Sequence, residues 1–205
     1  TTEIYTLSLH DALPISESLK PQELVTLLNA YLSQMTDILF EYRGTLDKYI
    51  GDAVMAFWGA PVPLKNHAIL AADACLKMME KVHELNANLK NDPQYSVFKE
   101  KNLSIDIGIG LNSGVMTVGN MGSEVRKNYT IMGDNVNLGS RLEGVNKVYS
   151  TNIIISESTY ELVKNHFMCR ELDYIRVKGK KLPVKIYELL DRKEGVTSEI
   201  IRKLD

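Results

Sequence analysis

Residues 47–59, DKYIGDAVMAFWG, set a glycine–aspartate pair between two apolar runs. Tyr49-Ile50 on one side and residues 54–58 on the other have strand composition, and the Gly51-Asp52 pair between them marks a tight reversal. A chain containing this segment is committed to an antiparallel hairpin with Asp52 at its tip. Pro61 and Pro63 close the hairpin.

Helical spacing brackets this hairpin. Leu24, Leu27, Leu28, Tyr31, Leu32, Met35, Ile38 and Leu39 recur on one face of residues 20–43, with Pro21 suited to a first turn and Gly44 to a stop. Ile69, Ala72, Leu76, Met79 and Leu85 predict a second amphipathic helix, followed by a polar loop over residues 91–102. Ile105, Ile107, Ile109 and Leu111 alternate with smaller or polar residues, the period of a strand with one buried face. Residues 115–118 are expected to pair back on it through Asn112-Ser113-Gly114. A strand over residues 128–132 leads into Gly133-Asp134, where Asp134 is expected to cap a helix over residues 135–147. Strands are also expected at residues 152–155, 168–177 and 183–190. Interspersed helices and strands predict an α+β sandwich built on one sheet.

Composition narrows the function classes. The 205 residues carry a net charge of −2, which gives no electrostatic footprint for nucleic acid or a membrane surface. The two cysteines, Cys75 and Cys169, have no metal spacing and fit a reducing compartment. His67, His83 and His166 lack the clustering of a metal site and read as surface or helix residues. No apolar run reaches bilayer-spanning length.

Three features point to a phosphate-handling site, although no GxxxxGK[ST] loop occurs. Asp52 at a hairpin tip is a short carboxylate suited to a hard cation such as magnesium. Asn137 and Arg141, four residues apart, project from one helix face. Lys178 and Lys180 place positive charge on a glycine-containing turn suited to a polyphosphate. Each also has an ordinary reading: turn chemistry for Gly51-Asp52, a solvated face for Asn137 and Arg141, a basic surface turn for VKGKK. Glycines 108, 110, 114, 119 and 122 read as turn formers, and Trp58, Tyr129 and the methionines as packing.

Taken in order, SESLKPQELVTLLN, DKYIGDAVMAFWGAP, IGIGLNSG, VGNMGSEVRKNYTIMGDNVNLGSRLE and VKGKKLPVKIYELL resemble the successive signatures of the class III nucleotide cyclase catalytic domain, bacterial adenylate cyclase type, over residues 16–190. The resemblance implies a ferredoxin-like-derived sandwich with one mainly antiparallel sheet. It implies a homodimer with ATP at the shared interface, and two magnesium or manganese ions bridging the phosphates to two aspartates. Asp52 matches the second metal aspartate. Lys48 matches the purine-reading position, which is glutamate in guanylate cyclases, and Thr130 a second adenine contact. Asn137 and Arg141 match the pair that steadies the ribose and the transition state, and Lys178 is the choice for the phosphate lysine. The implied reaction converts ATP to 3′,5′-cyclic AMP and pyrophosphate. It places the domain in the cytoplasm, as part of a sensor-linked or membrane-anchored protein, with no membrane contact of its own. The alternatives are a guanylate cyclase, a catalytically silent regulatory dimer of the same fold, and a nucleotide-binding module.

The family's first metal aspartate lies in a stretch like FxDIxGFT just before SESLKPQEL. Counting back from Ser16, that aspartate falls on Ser8, while Asp11 falls where the family has glycine. Residues 1–15 resemble a reading frame of a common short-read sequencing adapter joined to coding sequence, and are expected to be a non-native replacement for the first strand. Tyr5, Leu7 and Leu9 alternate in a way that lets the segment fill that strand. With Asp52 alone, little turnover is expected. Residues 191–205 read as a polar tail.

Overall fold

A computed structural model describes residues 2–9, 12–176 and 183–193. Strand β1 (Thr2–Leu9) is followed by helices α1 (Ala12–Ser18) and α2 (Pro21–Glu41), then by the hairpin β2 (Thr45–Ile50) and β3 (Ala53–Trp58). Helix α3 (His67–Asn91), a 3-10 turn (Pro93–Tyr95) and α4 (Ser96–Glu100) lead to β4 (Ile107–Gly114), β5 (Thr117–Gly122) and β6 (Lys127–Met132). Helix α5 (Asp134–Tyr149), β7 (Ile153–Ser156), α6 (Glu157–Val163), β8 (Phe167–Ile175) and β9 (Val184–Arg192) complete the described chain.

Seven strands form one sheet in the order β2-β3-β1-β4-β7-β9-β8, antiparallel except for the parallel pair β4–β7. The first strand lies inside it, between β3 and β4: Leu7 faces Val54 on one side and Ile109 on the other. Residues 2–9 therefore do fill the first-strand place, and Ile4, Tyr5, Leu7 and Leu9 are all buried. Period-two alternation sends Tyr5, Leu7 and Leu9 into the core beneath α2 and α3, with Tyr31, Met35, Leu39, Cys75 and Met78. Ile4 points to the other face, with Phe57, Ile131 and Val136. Trp58 is fully buried and donates its indole N–H to the Tyr42 carbonyl at 2.8 Å.

Helix α5 covers β4 so closely that a Cβ on Gly110 would lie 2.3 Å from both the Glu143 amide nitrogen and the Gly139 carbonyl oxygen. Gly110 is thus a close-approach residue and not the turn former its sequence context suggested. It sets the seat of the helix that carries Asn137 and Arg141.

The hairpin, the two long helices and the strands after residue 150 fall where periodicity put them. Residues 112–114, expected as a turn, continue β4, because Asn112 and Ser113 spend their side chains on Asn135 and Glu3 while the backbone pairs with β1. Residues 117–122 pair with β6 as a separate two-stranded ribbon, beyond the single sheet expected. The stretch 91–102 is the 3-10 turn and α4, anchored by buried Tyr95 and Phe98 in edge-to-face contact. Asp134 is the first residue of α5, not its cap; Gly133 caps it at φ 143°, and Asp134 faces the helix dipole from the first turn. Strand β9 runs to Arg192, which pairs with Asp73, so residues 191 and 192 of the expected tail belong to the sheet, and residues 194–205 lie outside the described residues. His67 opens α3 but is buried, its Nδ1 3.3 Å from the buried Glu3 carboxylate.

Candidate active site

The β2–β3 hairpin carries two functional ends. At its tip, Ile50 pairs with Ala53, so Gly51 and Asp52 form a two-residue loop, and Gly51 takes the positive φ of +64° that such a loop needs. The turn returns Asp52 toward the end of β1, where its Oδ2 accepts the Leu9 backbone N–H at 3.3 Å. The neighbouring Ser8 donates its hydroxyl to the Glu143 carboxylate of α5. Position 8, where the sequence pattern expects an aspartate, is therefore adjacent to the residue that holds Asp52.

Beside this end lies a cavity of about 520 Å³ lined mainly by Leu9, Ile15, Leu24, Leu28, Tyr31 and Asp52. The Tyr31 hydroxyl is buried with no hydrogen-bond partner. Burial pushes its ionisation well above the ordinary tyrosine range, and the carboxylates of Asp52 and Glu143 push it further. The cavity end is thus an anionic corner facing an apolar wall.

The other end lies on β2. Lys48 Nζ donates to the Thr130 hydroxyl at 3.2 Å, joining β2 to β6 across 82 positions of sequence. Thr130 in turn donates to Asp47 Oδ2 at 2.8 Å, and the Asp47 Oδ1 lies 3.5 Å from Lys48 Nζ. Adjacent strand residues normally face opposite ways. Here the β2–β3 register slips between Leu46 and Lys48, so Asp47 is the extra residue of a bulge, and both it and Lys48 reach Thr130. Sequence reasoning found Lys48 and Thr130 but missed Asp47; strand alternation hid it, because only the bulge brings it to the same face.

Asn137 is exposed and Arg141 half-buried on α5, while Leu138 and Leu142 face Ile154 and Ile186 across the sheet. Among the described residues neither polar side chain has a hydrogen bond or ion pair within its own chain. Both side chains thus carry donors that the described part of the protomer does not use. Lys178 and Asp11 lie outside the described residues. Among those that are described, no group of three or more His, Cys, Asp and Glu side chains is arranged to hold a metal ion. Asp52 is a single carboxylate of the kind a hard divalent cation takes as a ligand, and position 8, where the family pattern has a second, is serine.

A hairpin with Asp52 at its tip, a lysine–threonine contact from β2 to β6 and an Asn-x-x-x-Arg helix after them agree with one family. The adenylate and guanylate cyclase catalytic domain matches residues 4–191. The chain belongs to this family. Adenylate cyclase 1 of Rhizobium meliloti is 31% identical over 184 residues, 89% of this chain but only 26% of that protein, so the chain spans about a quarter of that relative. The adenylyl cyclase CyaB of P. aeruginosa superposes with a TM-score of 0.83 at 34% identity, covering 96% of each chain. A dimeric guanylyl cyclase domain from Blastocladiella emersonii superposes at 0.74 and 27% identity, over 94% of this chain and 97% of its own. The cyclase match begins at residue 4, inside the segment expected to precede it. No described helix is long and apolar enough to cross a membrane.

Proposed function

We propose that this cyclase domain makes 3′,5′-cyclic AMP from ATP, and that the chain as it stands turns over slowly because position 8 is serine. The observation that carries the reading is the Lys48–Thr130 pair, a donor and an acceptor held 3.2 Å apart beside the hairpin that presents Asp52. Adenine offers an acceptor at N1 and a donor at its exocyclic amine, and this pair complements both. Guanine reverses both polarities, which argues against the guanylate cyclase alternative.

In the proposed reaction the ribose 3′ hydroxyl gives its proton to water as its oxygen bonds to the α-phosphorus, the bond from that phosphorus to the oxygen bridging the β-phosphate breaks, and pyrophosphate leaves with the electron pair. Asn137 orients the ribose and Arg141 faces the charge that builds on the α-phosphate oxygens, a role suited to a preplaced guanidinium. Asp52 would hold a magnesium or manganese ion against the triphosphate. Such an ion, when bound, neutralises phosphate charge and acidifies the attacking hydroxyl. The second ion of the family pattern needs the carboxylate absent at position 8. Lys178 is proposed as the phosphate lysine.

Asn137 and Arg141 without partners in their own chain fit a site completed across a homodimer. The ribbon supports such an interface, with Val125 95% and Met132 55% exposed. Residues 1–15 are proposed to be adapter-derived; an encoding DNA whose codons depart from the adapter base sequence would contradict this. The deciding experiment gives the Ser8→Asp chain ATP and GTP separately, with magnesium or manganese. Cyclic AMP as the main product is expected. Cyclic GMP as the main product would install the guanylate alternative, and no cyclic product with tight nucleotide binding would leave a binding module.

A further inference from the structure

We infer that Asp47 is a positioning residue for purine choice: it fixes the direction of the Thr130 hydroxyl proton and so makes Thr130 an acceptor toward the bound base. This rests on the reading above that Lys48 and Thr130 face the purine.

A hydroxyl has one proton and two lone pairs, and left alone it turns to suit either a donor or an acceptor. A freely turning Thr130 would therefore accept from the adenine amine or donate to the guanine carbonyl with little preference. Asp47 removes that freedom. Its side chain is 1% exposed, and its Oδ2 takes the Thr130 proton at 2.8 Å and the Ile131 N–H at 3.5 Å. With the proton spent, one Thr130 lone pair receives Lys48 and the other is left for a donor on the ligand. An amine fits there, whereas a carbonyl meets a lone pair and leaves a polar contact unmade.

The second carboxylate oxygen works on Lys48. Asp47 Oδ1 is buried without a hydrogen-bond partner and lies 3.5 Å from Lys48 Nζ. Lys48 is half exposed, and its ammonium has further N–H donors for a ligand beyond the one given to Thr130, while the charge beneath keeps it at this corner. The bulge that pushes Asp47 out of alternation is thus the device that loads both purine-facing groups from below.

The test is competition of ATP and of GTP against a fluorescent ATP analogue on the full chain with magnesium, which needs no turnover. The ratio of the two affinities is the readout, because a merely structural residue would weaken both nucleotides alike. Asp47→Ala is expected to lower the ATP-over-GTP preference about tenfold or more. Asp47→Asn keeps an acceptor oxygen, held in place by the Ile131 N–H, and is expected to stay within about threefold of the parent ratio. Thr130→Val should lose the preference, and adding Asp47→Ala to it should cost no further preference, since the two act as a unit. If Asp47→Ala fails to fold, Asp47→Ser, too short to reach Thr130, takes its place with the same expectation. A preference unchanged in the Ala or Ser variant, or lost equally in the Asn variant, overturns the inference. A parent chain that binds ATP and GTP equally, or neither, overturns instead the purine reading on which it rests.

Discussion

The two ends of the β2–β3 hairpin differ in completeness. Between β2 and β6, Asp47, Lys48 and Thr130 form a connected network in which the buried carboxylate has both neighbours within reach. At the tip, the Asp52 carboxylate accepts the Leu9 backbone N–H, and the neighbouring strand position offers a serine that turns to Glu143. On the proposed reading, one hairpin presents a complete recognition corner and a cation corner that lacks a carboxylate. The difference follows the chain: every residue of the first corner comes from segments that carry the cyclase signatures, whereas the second depends on β1. The proposed function therefore makes base choice and phosphate chemistry separable, because the two corners draw on different strands.

That separation makes its own tests. In a Ser8→Asp background, Asp52→Asn should cut cyclic AMP formation by about a hundredfold or more while leaving the ATP-over-GTP binding preference where it was. Loss of preference together with activity would merge the two corners into one. Arg141→Ala in the same background should lower kcat by about 10² to 10³ with little change in KM, as removal of a group acting on the transition state does. A raised KM at constant kcat would move Arg141 from the reacting phosphate to ground-state binding.

Smaller effects probe the scaffold both corners share. Gly110→Ala should destabilise the domain by about 1–3 kcal/mol in denaturant unfolding, because the new methyl meets α5 backbone 2.3 Å away, and should cost activity as Asn137 and Arg141 shift. Alkaline pH gives the mildest perturbation. Burial holds the Tyr5 and Tyr31 hydroxyls well above their ordinary range. Folded-state ionisation is therefore later than in the unfolded chain, so stability is intact below pH about 10 and declines above it, by about 1.4 kcal/mol per pH unit for each tyrosine. Tyr31→Phe should flatten that decline in unfolding curves at rising pH; an unchanged slope would detach Tyr31 from the anionic corner.

Much of this was legible in the residues. Gly51-Asp52 between apolar runs gave the hairpin, and helical spacing gave α2 and α3, because local geometry and burial agree there. The unread parts depend on contacts distant in sequence. Ser113 belongs to a strand and not a turn because Glu3, 110 positions away, takes its hydroxyl. His67 is buried because the same carboxylate faces it. Asp47 joins the purine corner through a register slip that no alternation pattern announces. Tyr95 and Phe98 turn a polar stretch into helix only because the core has room for both rings. Residue types at the site were therefore readable, while their connections were not.

The central claim is that position 8 and Asp52 together form the cation corner. Thermal unfolding of the Ser8→Asp chain with and without manganese tests it directly, since a second carboxylate beside Asp52 and Glu143 adds like-charge repulsion that a bound cation relieves. The account predicts a melting temperature that rises with manganese in Ser8→Asp, rises less in the parent, and loses its response when Asp52→Asn is added. An equal manganese response with and without the Asp52 carboxylate would contradict it.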